Sequence, residues 1–103
     1  RKVSATDSTV LIGGESGTGA AILAKVKGFD VFVSDNAPLK EKYRAELSQE
    51  GIEFEEGQHT EEKILNANLV IKSPGISDKV EIVKKIKSKK ITIIDEIEFD
   101  GSL

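Results

Sequence analysis

Thr9-Val10-Leu11-Ile12-Gly13-Gly14-Glu15-Ser16-Gly17-Thr18-Gly19-Ala20-Ala21-Ile22-Leu23 carries an apolar run through a glycine-rich turn straight into an amphipathic segment. The pattern predicts a strand, a tight turn and a helix, an arrangement suited to holding phosphate. Glycines let the backbone approach a pyrophosphate closely. The first-turn N–H groups of the helix lack intrahelical acceptors, and the helix dipole favours negative charge beside them.

Working outward, Phe29-Asp30-Val31-Phe32-Val33-Ser34-Asp35 is a second strand that ends in an acid. It follows the glycine turn by about 20 residues, the spacing at which a Rossmann-type unit places the acid that reads the sugar or base of a nucleotide. Strands are expected over residues 9–12, 31–34, 52–54, 69–72 and 91–94. Helices are expected between them. The first covers about residues 17–27 and stops at Gly28; the second covers 39–49, with Leu39, Tyr43 and Leu47 along one side. A small helix follows, capped by Thr60 with Glu61 and Glu62 in its first turn. Ser73-Pro74-Gly75 breaks the fourth strand, and Asp78 caps a last helix carrying Val80, Ile82, Val83 and Ile86. Strict alternation of this kind predicts an α/β fold: a Rossmann-like three-layer domain with a five-stranded, mainly parallel sheet and helices on both faces.

The 103 residues suffice for one domain, placed at residues 9–103, with residues 1–8 read as a loose polar tail. Apolar residues make up 38% and charged residues 32%, and no apolar run approaches the roughly 20 residues that span a bilayer. No membrane partner is expected, and cytoplasm is the default compartment. A formal charge of −3 argues against a nucleic-acid partner. Lys84, Lys85, Lys87, Lys89 and Lys90 are read as the solvated face and last turn of a helix. Without cysteine, and with His59 the single histidine, no disulfide or zinc site is expected.

Ligands of such sheets sit outside the carboxyl ends of the strands, where strand order reverses. That selects Gly13 to Gly19, Asp35-Asn36, Ser73-Pro74-Gly75 and Asp95-Glu96. Gly14 and Gly19 have P-loop spacing, but Ala20 and Ala21 stand where Lys and Ser or Thr hold terminal phosphates and magnesium. A nucleophile elbow around Ser16 requires glycine where Thr18 stands, and His59 and Asp95 come in the wrong order for it. Ser16 is left with two readings, a phosphate contact or a helix cap. Asp35 likewise binds a nucleotide or caps the next segment. His59 is a loop histidine with a satisfied hydrogen bond rather than a base. Glu96 and Glu98 form no catalytic pair, and no catalytic residue or metal ligand is assigned.

The assembled residues resemble the N-terminal domain of the Mur ligases, most closely the D-glutamate-adding MurD family of peptidoglycan synthesis. The resemblance rests on Gly14-Glu15-Ser16-Gly17-Thr18-Gly19-Ala20-Ala21, Gly28 to Asp35, Lys72-Ser73-Pro74-Gly75-Ile76 and Glu96-Ile97-Glu98-Phe99, and covers about residues 9–103. It implies a domain that holds the UDP end of UDP-N-acetylmuramoyl-L-alanine. By that resemblance Gly14, Glu15, Ser16 and Gly17 surround the diphosphate, Asp35 and Asn36 meet the uracil, and Ser73 and Gly75 close on the nucleotide. It also implies a longer ATP- and magnesium-dependent ligase whose central and C-terminal domains carry the ATP site and the amino-acid subsite, so that this domain alone is inactive and binds no cofactor. Two positions depart from the pattern. Ile12 replaces the first glycine of the turn, where a branched side chain would crowd a phosphate or shift the turn by one residue, and Asn36 replaces the usual hydroxyl residue. The alternative reading is an NAD-binding Rossmann regulatory domain, with Asp35 on the adenosine ribose; a nucleotide-free interaction domain is the third.

Overall fold

The computed structural model describes residues 8–73, 75–77 and 79–95, with the side chains of residues 14–16 outside that description. Among the described residues the elements alternate as β1 (Ser8–Ile12), α1 (Gly14–Val26), β2 (Asp30–Asp35), α2 (Glu41–Gln49), β3 (Glu53–Glu56), α3 (Glu61–Ile64), β4 (Leu69–Lys72), α4 (Glu81–Ser88) and β5 (Thr92–Asp95). The sheet order is β3-β2-β1-β4-β5, and every neighbouring pair is parallel. All five carboxyl ends therefore share one rim. The chain steps outward from β1 to β3 and then returns to the other side of β1, so the order reverses between β1 and β4.

Alternation along the strands divides the core in two. Leu11, Val33, Leu69 and Ile71 pack with Ala20, Ala21 and Ala24 of α1 and Leu47 of α2. Val10, Ile12 and Val70 face the other way, against Ile64, Ala67, Ile82, Val83 and Ile86. Central strands covered on both faces need apolar residues at successive positions, which is why β1 and β4 are continuous apolar runs. Each fully buried aliphatic side chain contributes about 1.5–3 kcal/mol relative to exposure. The lysines of α4 lie on its solvent side, as expected; Lys85 pairs with Glu61 at 2.5 Å.

Several boundaries differ from expectation for identifiable reasons. β1 begins at Ser8 because both backbone groups of Ser8 are held: its N–H donates to Asn68 Oδ1 at 3.0 Å, and its carbonyl accepts the Asn68 N–H at 2.8 Å. Helix α1 starts at Gly14 rather than near Gly17, since Gly13 alone makes the turn. Helix α2 starts at Glu41 because Glu56 Oε1 takes the Leu39 N–H at 2.7 Å and Lys40 stays extended. Strand β3 runs on to Glu56, acidic side chains included. Thr60 does occupy the cap of α3, yet its hydroxyl donates to Glu55 instead of capping. Helix α4 begins at Glu81 with Val80 at its cap position, and Asp78 lies outside the described residues. Pro74 and the segment from Glu96 through Phe99 also lie outside them.

Candidate functional site at the carboxyl rim

The glycine-rich stretch compresses into a single turn residue. Gly13 has φ 97°, in the left-handed region, and caps α1. A Cβ at Gly13 would lie 2.6 Å from Ser73 Cβ, so conformation and space both demand glycine. The turn is fastened to both neighbouring strands: Gly13 N–H donates to the Ser34 carbonyl of β2 at 3.1 Å, and Ser73 N–H donates to the Ile12 carbonyl at 3.0 Å. Intrahelical bonding starts where Gly17 N–H reaches the Gly13 carbonyl at 3.0 Å. An α-helix so begun leaves the amides of Gly14, Glu15 and Ser16 without intrahelical acceptors at its positive end. Ile12, the departure from the family pattern, is fully buried in the α3/α4 core, on the sheet face opposite α1. Its side chain therefore does not crowd the turn.

Strand β2 ends in Asp35, whose Oδ1 accepts the Ala37 N–H at 2.9 Å and bends the chain into an Asx turn. Asn36 is exposed beyond it. Across the switch point, Ser73 is buried behind Gly13, and its Oγ accepts a long, 3.4 Å contact from Gly75 N–H. Gly75 itself is exposed. Lys72 donates from Nζ to the Ile76 carbonyl at 2.7 Å, bracing the segment after β4.

A polar network that the sequence did not announce stands beside these residues. The register aligns Glu55, Ser34, Ile12, Lys72 and Asp95 in one row across the sheet. Ser34 is fully buried, and its Oγ lies 2.8 Å from Glu55 Oε2 and 2.6 Å from His59 Nδ1. Glu55 also accepts the Thr60 N–H at 2.7 Å and the Thr60 hydroxyl at 2.5 Å. Burial pushes the Glu55 carboxyl up, but the two Thr60 donors, the Ser34 hydroxyl and the field of His59 together hold it below the usual glutamate range. Burial pushes His59 below its ordinary value, outweighing the attraction of Glu55 and Asp35, so the ring is neutral at pH 7.

The proton positions follow from these distances. A carboxylate and a carbonyl only accept, so the Ser34 hydroxyl proton points to Glu55, with the Gln58 carbonyl a longer 3.3 Å away. If it pointed at His59 instead, two bare oxygens would face each other at 2.8 Å. The Ser34 oxygen then accepts from His59 Nδ1–H, leaving Nε2 unprotonated. Among the described residues Nε2 has no hydrogen-bond partner. His59 lines a groove of about 280 Å³ with Asn36 from the end of β2, Glu61 of α3, and Val80, Glu81 and Ile82 at the start of α4.

Of the expected site residues, Gly14 to Gly17 form the first turn of α1 rather than a loop, Ser73 lies against the neighbouring Gly13, and Asp35 and Asn36 stand at the end of β2 on the same rim. His59 is a loop histidine with a hydrogen-bond partner, as expected, but it also faces the rim groove. The missed members are Ser34, Glu55 and Thr60. Among the described residues no group of three or more metal-ligating side chains gathers, and no helix is long and apolar enough to cross a membrane.

Residues 14–82 match the family model described as the MurD N-terminal domain. The UDP-N-acetylmuramoylalanine--D-glutamate ligase of Cytophaga hutchinsonii is 58% identical over 90 residues, which is 87% of this chain and 20% of the relative. That of Bacteroides fragilis is 54% identical over 92 residues, covering 89% of this chain and 21% of the relative. Among solved structures, a pseudomurein peptide ligase type C from Methanothermus fervidus superposes with a TM-score of 0.81 at 26% identity, over 95% of this chain and 20% of that one. The chain spans about one fifth of the length of these relatives.

Proposed function

The chain belongs to the MurD N-terminal domain family, and from that premise we propose that it holds the UDP end of UDP-N-acetylmuramoyl-L-alanine for a ligase that adds D-glutamate during peptidoglycan synthesis. The observation that carries this reading is the Gly13 turn at the strand-order reversal, which aims the amides of Gly14, Glu15 and Ser16 outward from the positive end of α1. A diphosphate there takes hydrogen bonds from backbone N–H groups and gains from the helix dipole. Gly14, Glu15, Ser16 and Gly17 thus contact the diphosphate, Asp35 and Asn36 the uracil, and Ser73 and Gly75 the near side of the nucleotide. Glu15 contributes its backbone N–H.

Chemistry is assigned elsewhere. ATP and magnesium belong to the central domain of a longer cytoplasmic enzyme, and amino-acid recognition belongs mostly to its C-terminal domain. The 103-residue chain is expected to bind substrate and to turn nothing over. The relatives reported above are ligases, and they lend no support to an NAD-binding module.

Titration of the chain with UDP and with NAD, followed by amide NMR, tests the reading. UDP should move the amides of residues 13–17 together with Asp35, Asn36 and Gly75. The affinity should be weak, since a lone domain lacks the opposing cleft wall. Tighter binding of NAD, or UDP shifts confined to another part of the molecule, would overturn it.

A further inference from the structure

From the Ser34, Glu55 and His59 arrangement we infer that His59 is a base-reading residue, whose unprotonated Nε2 accepts the N3–H of a uracil seated in the groove between Asn36 and the start of α4. The inference rests on the UDP reading above and assigns a residue to the base. It is carried by hydrogen-bond logic. Ser34 is fully buried, and its one proton faces two groups that only accept, the Glu55 carboxylate at 2.8 Å and the Gln58 carbonyl at 3.3 Å, so Nδ1, 2.6 Å from the same oxygen, must be the donor nitrogen. The opposite nitrogen is then an acceptor, and His59 is one of the residues lining a 280 Å³ groove.

Few ligand groups suit that acceptor. A phosphate does not, because it offers oxygens to a lone pair, with Glu61 and Glu81 also lining the space. An imide N–H does. Uracil presents N3–H between two carbonyl oxygens, and the Asn36 amide beside His59 supplies a donor for one of them. Cytosine carries a lone pair at N3, so two acceptors would face each other, and uracil methylated at N3 has nothing to donate. Thr60 and Ser34, fixed on Glu55, keep the ring from exchanging tautomers without breaking a half-buried network.

The test uses the 103-residue chain with UDP, CDP and N3-methyl-UDP, and the variant His59→Phe. The wild type should bind UDP about tenfold more tightly than either analogue, the effect of one neutral hydrogen bond lost and its partner left unpaired. His59→Phe should bring the three affinities within about twofold while shifts at residues 13–17 persist, because the diphosphate contacts are untouched. Nitrogen NMR of the wild-type ring should report Nδ1–H in the free chain and a perturbed Nε2 on adding UDP, which needs no variant to fold. An Nε2–H tautomer, or an unchanged preference for UDP in His59→Phe, would overturn the role of His59 and leave the UDP reading standing. Failure of UDP and CDP alike to move residues 13–17 would overturn both.

Discussion

The two ends of the sheet are built by opposite means. At the carboxyl rim the chain closes on itself through buried polar groups: Gly13 lies against Ser73, Ser34 is fully buried, and Glu55 takes its donors from Ser34 and Thr60. At the amino rim a groove of about 330 Å³ opens among Ser8, Asp30, Glu53, Lys25 and Lys63, with Lys63 paired to Glu53 and lying 4.8 Å from the Phe32 ring centroid. Both members of that pair are about half exposed or more. Polar groups out of water cost free energy unless every partner is in place, whereas exposed ion pairs contribute little either way. A cavity of comparable size at each end therefore means different things. Among the described residues, the carboxyl rim combines the first amides of α1 with a linked set of polar side chains, Ser34, Glu55, His59 and Thr60.

The comparison is broken most forcefully at Gly13. Gly13→Ala asks a Cβ to adopt φ 97° and to occupy space 2.6 Å from Ser73 Cβ. Left-handed strain and overpacking together should cost about 2–5 kcal/mol, read from urea unfolding, and UDP-induced shifts at residues 14–17 should vanish in the fraction that stays folded. Wild-type stability with full UDP binding would show that the turn is more compliant than its geometry.

That glycine was legible because an apolar run ending in glycine before a helix has few other uses. What followed it was not. Gly14 and Gly17 imitate a loop by composition, and only the bond from Gly17 N–H to the Gly13 carbonyl shows that the helix already begins at Gly14. The network around Glu55 was invisible for a different reason. A strand is expected over residues 52–54, but Glu55 and Glu56 look too acidic to extend its pairing, which they do. Its acids are instead satisfied from far along the chain, Glu55 by Ser34 and Thr60, and Glu56 by the Leu39 amide and Arg44. Periodicity identifies faces, and it carries no information on which distant donor meets which acceptor. Asp35 shows the same limit, since its spacing fits a nucleotide contact or a cap equally, and only the structure reveals the Asx turn in which its Oδ1 takes the Ala37 N–H.

An intermediate effect is expected from acid. The folded pKa of His59 lies below its ordinary 6.5, so the unfolded chain binds a proton first as pH falls. Stability should start to drop through that value. The folded pKa of Glu55 lies below the ordinary 4.5, so the stability it contributes is fully present above 4.5 and is lost as pH falls through its folded value. The two losses run in the same direction, and the charges facing the pair, Asp35, Glu61 and Glu81, shape both. A profile of melting temperature against pH should fall in two stages. Glu55→Gln should reduce the lower stage and keep the upper; a lower stage of unchanged size would remove Glu55 from the account.

The smallest effect belongs to the amino rim. Lys63→Gln deletes the cation shared by Glu53 and the Phe32 ring, but solvent already screens a pair so exposed, and the glutamine stem still covers part of the ring. The melting temperature should stay within error of the wild type at low and at high salt. UDP affinity should be unchanged as well, and here the substitution sharpens the contrast between the rims. Lys63 and Lys25 both line the amino-rim groove, so an anion housed there would lose one of its cations in this variant. A fall in UDP affinity for Lys63→Gln, with Gly13→Ala folded and binding normally, would move the nucleotide to the opposite end of the sheet. In that event the outward amides of α1 would be structural only, and the turn would exist to let β1 and β4 approach each other.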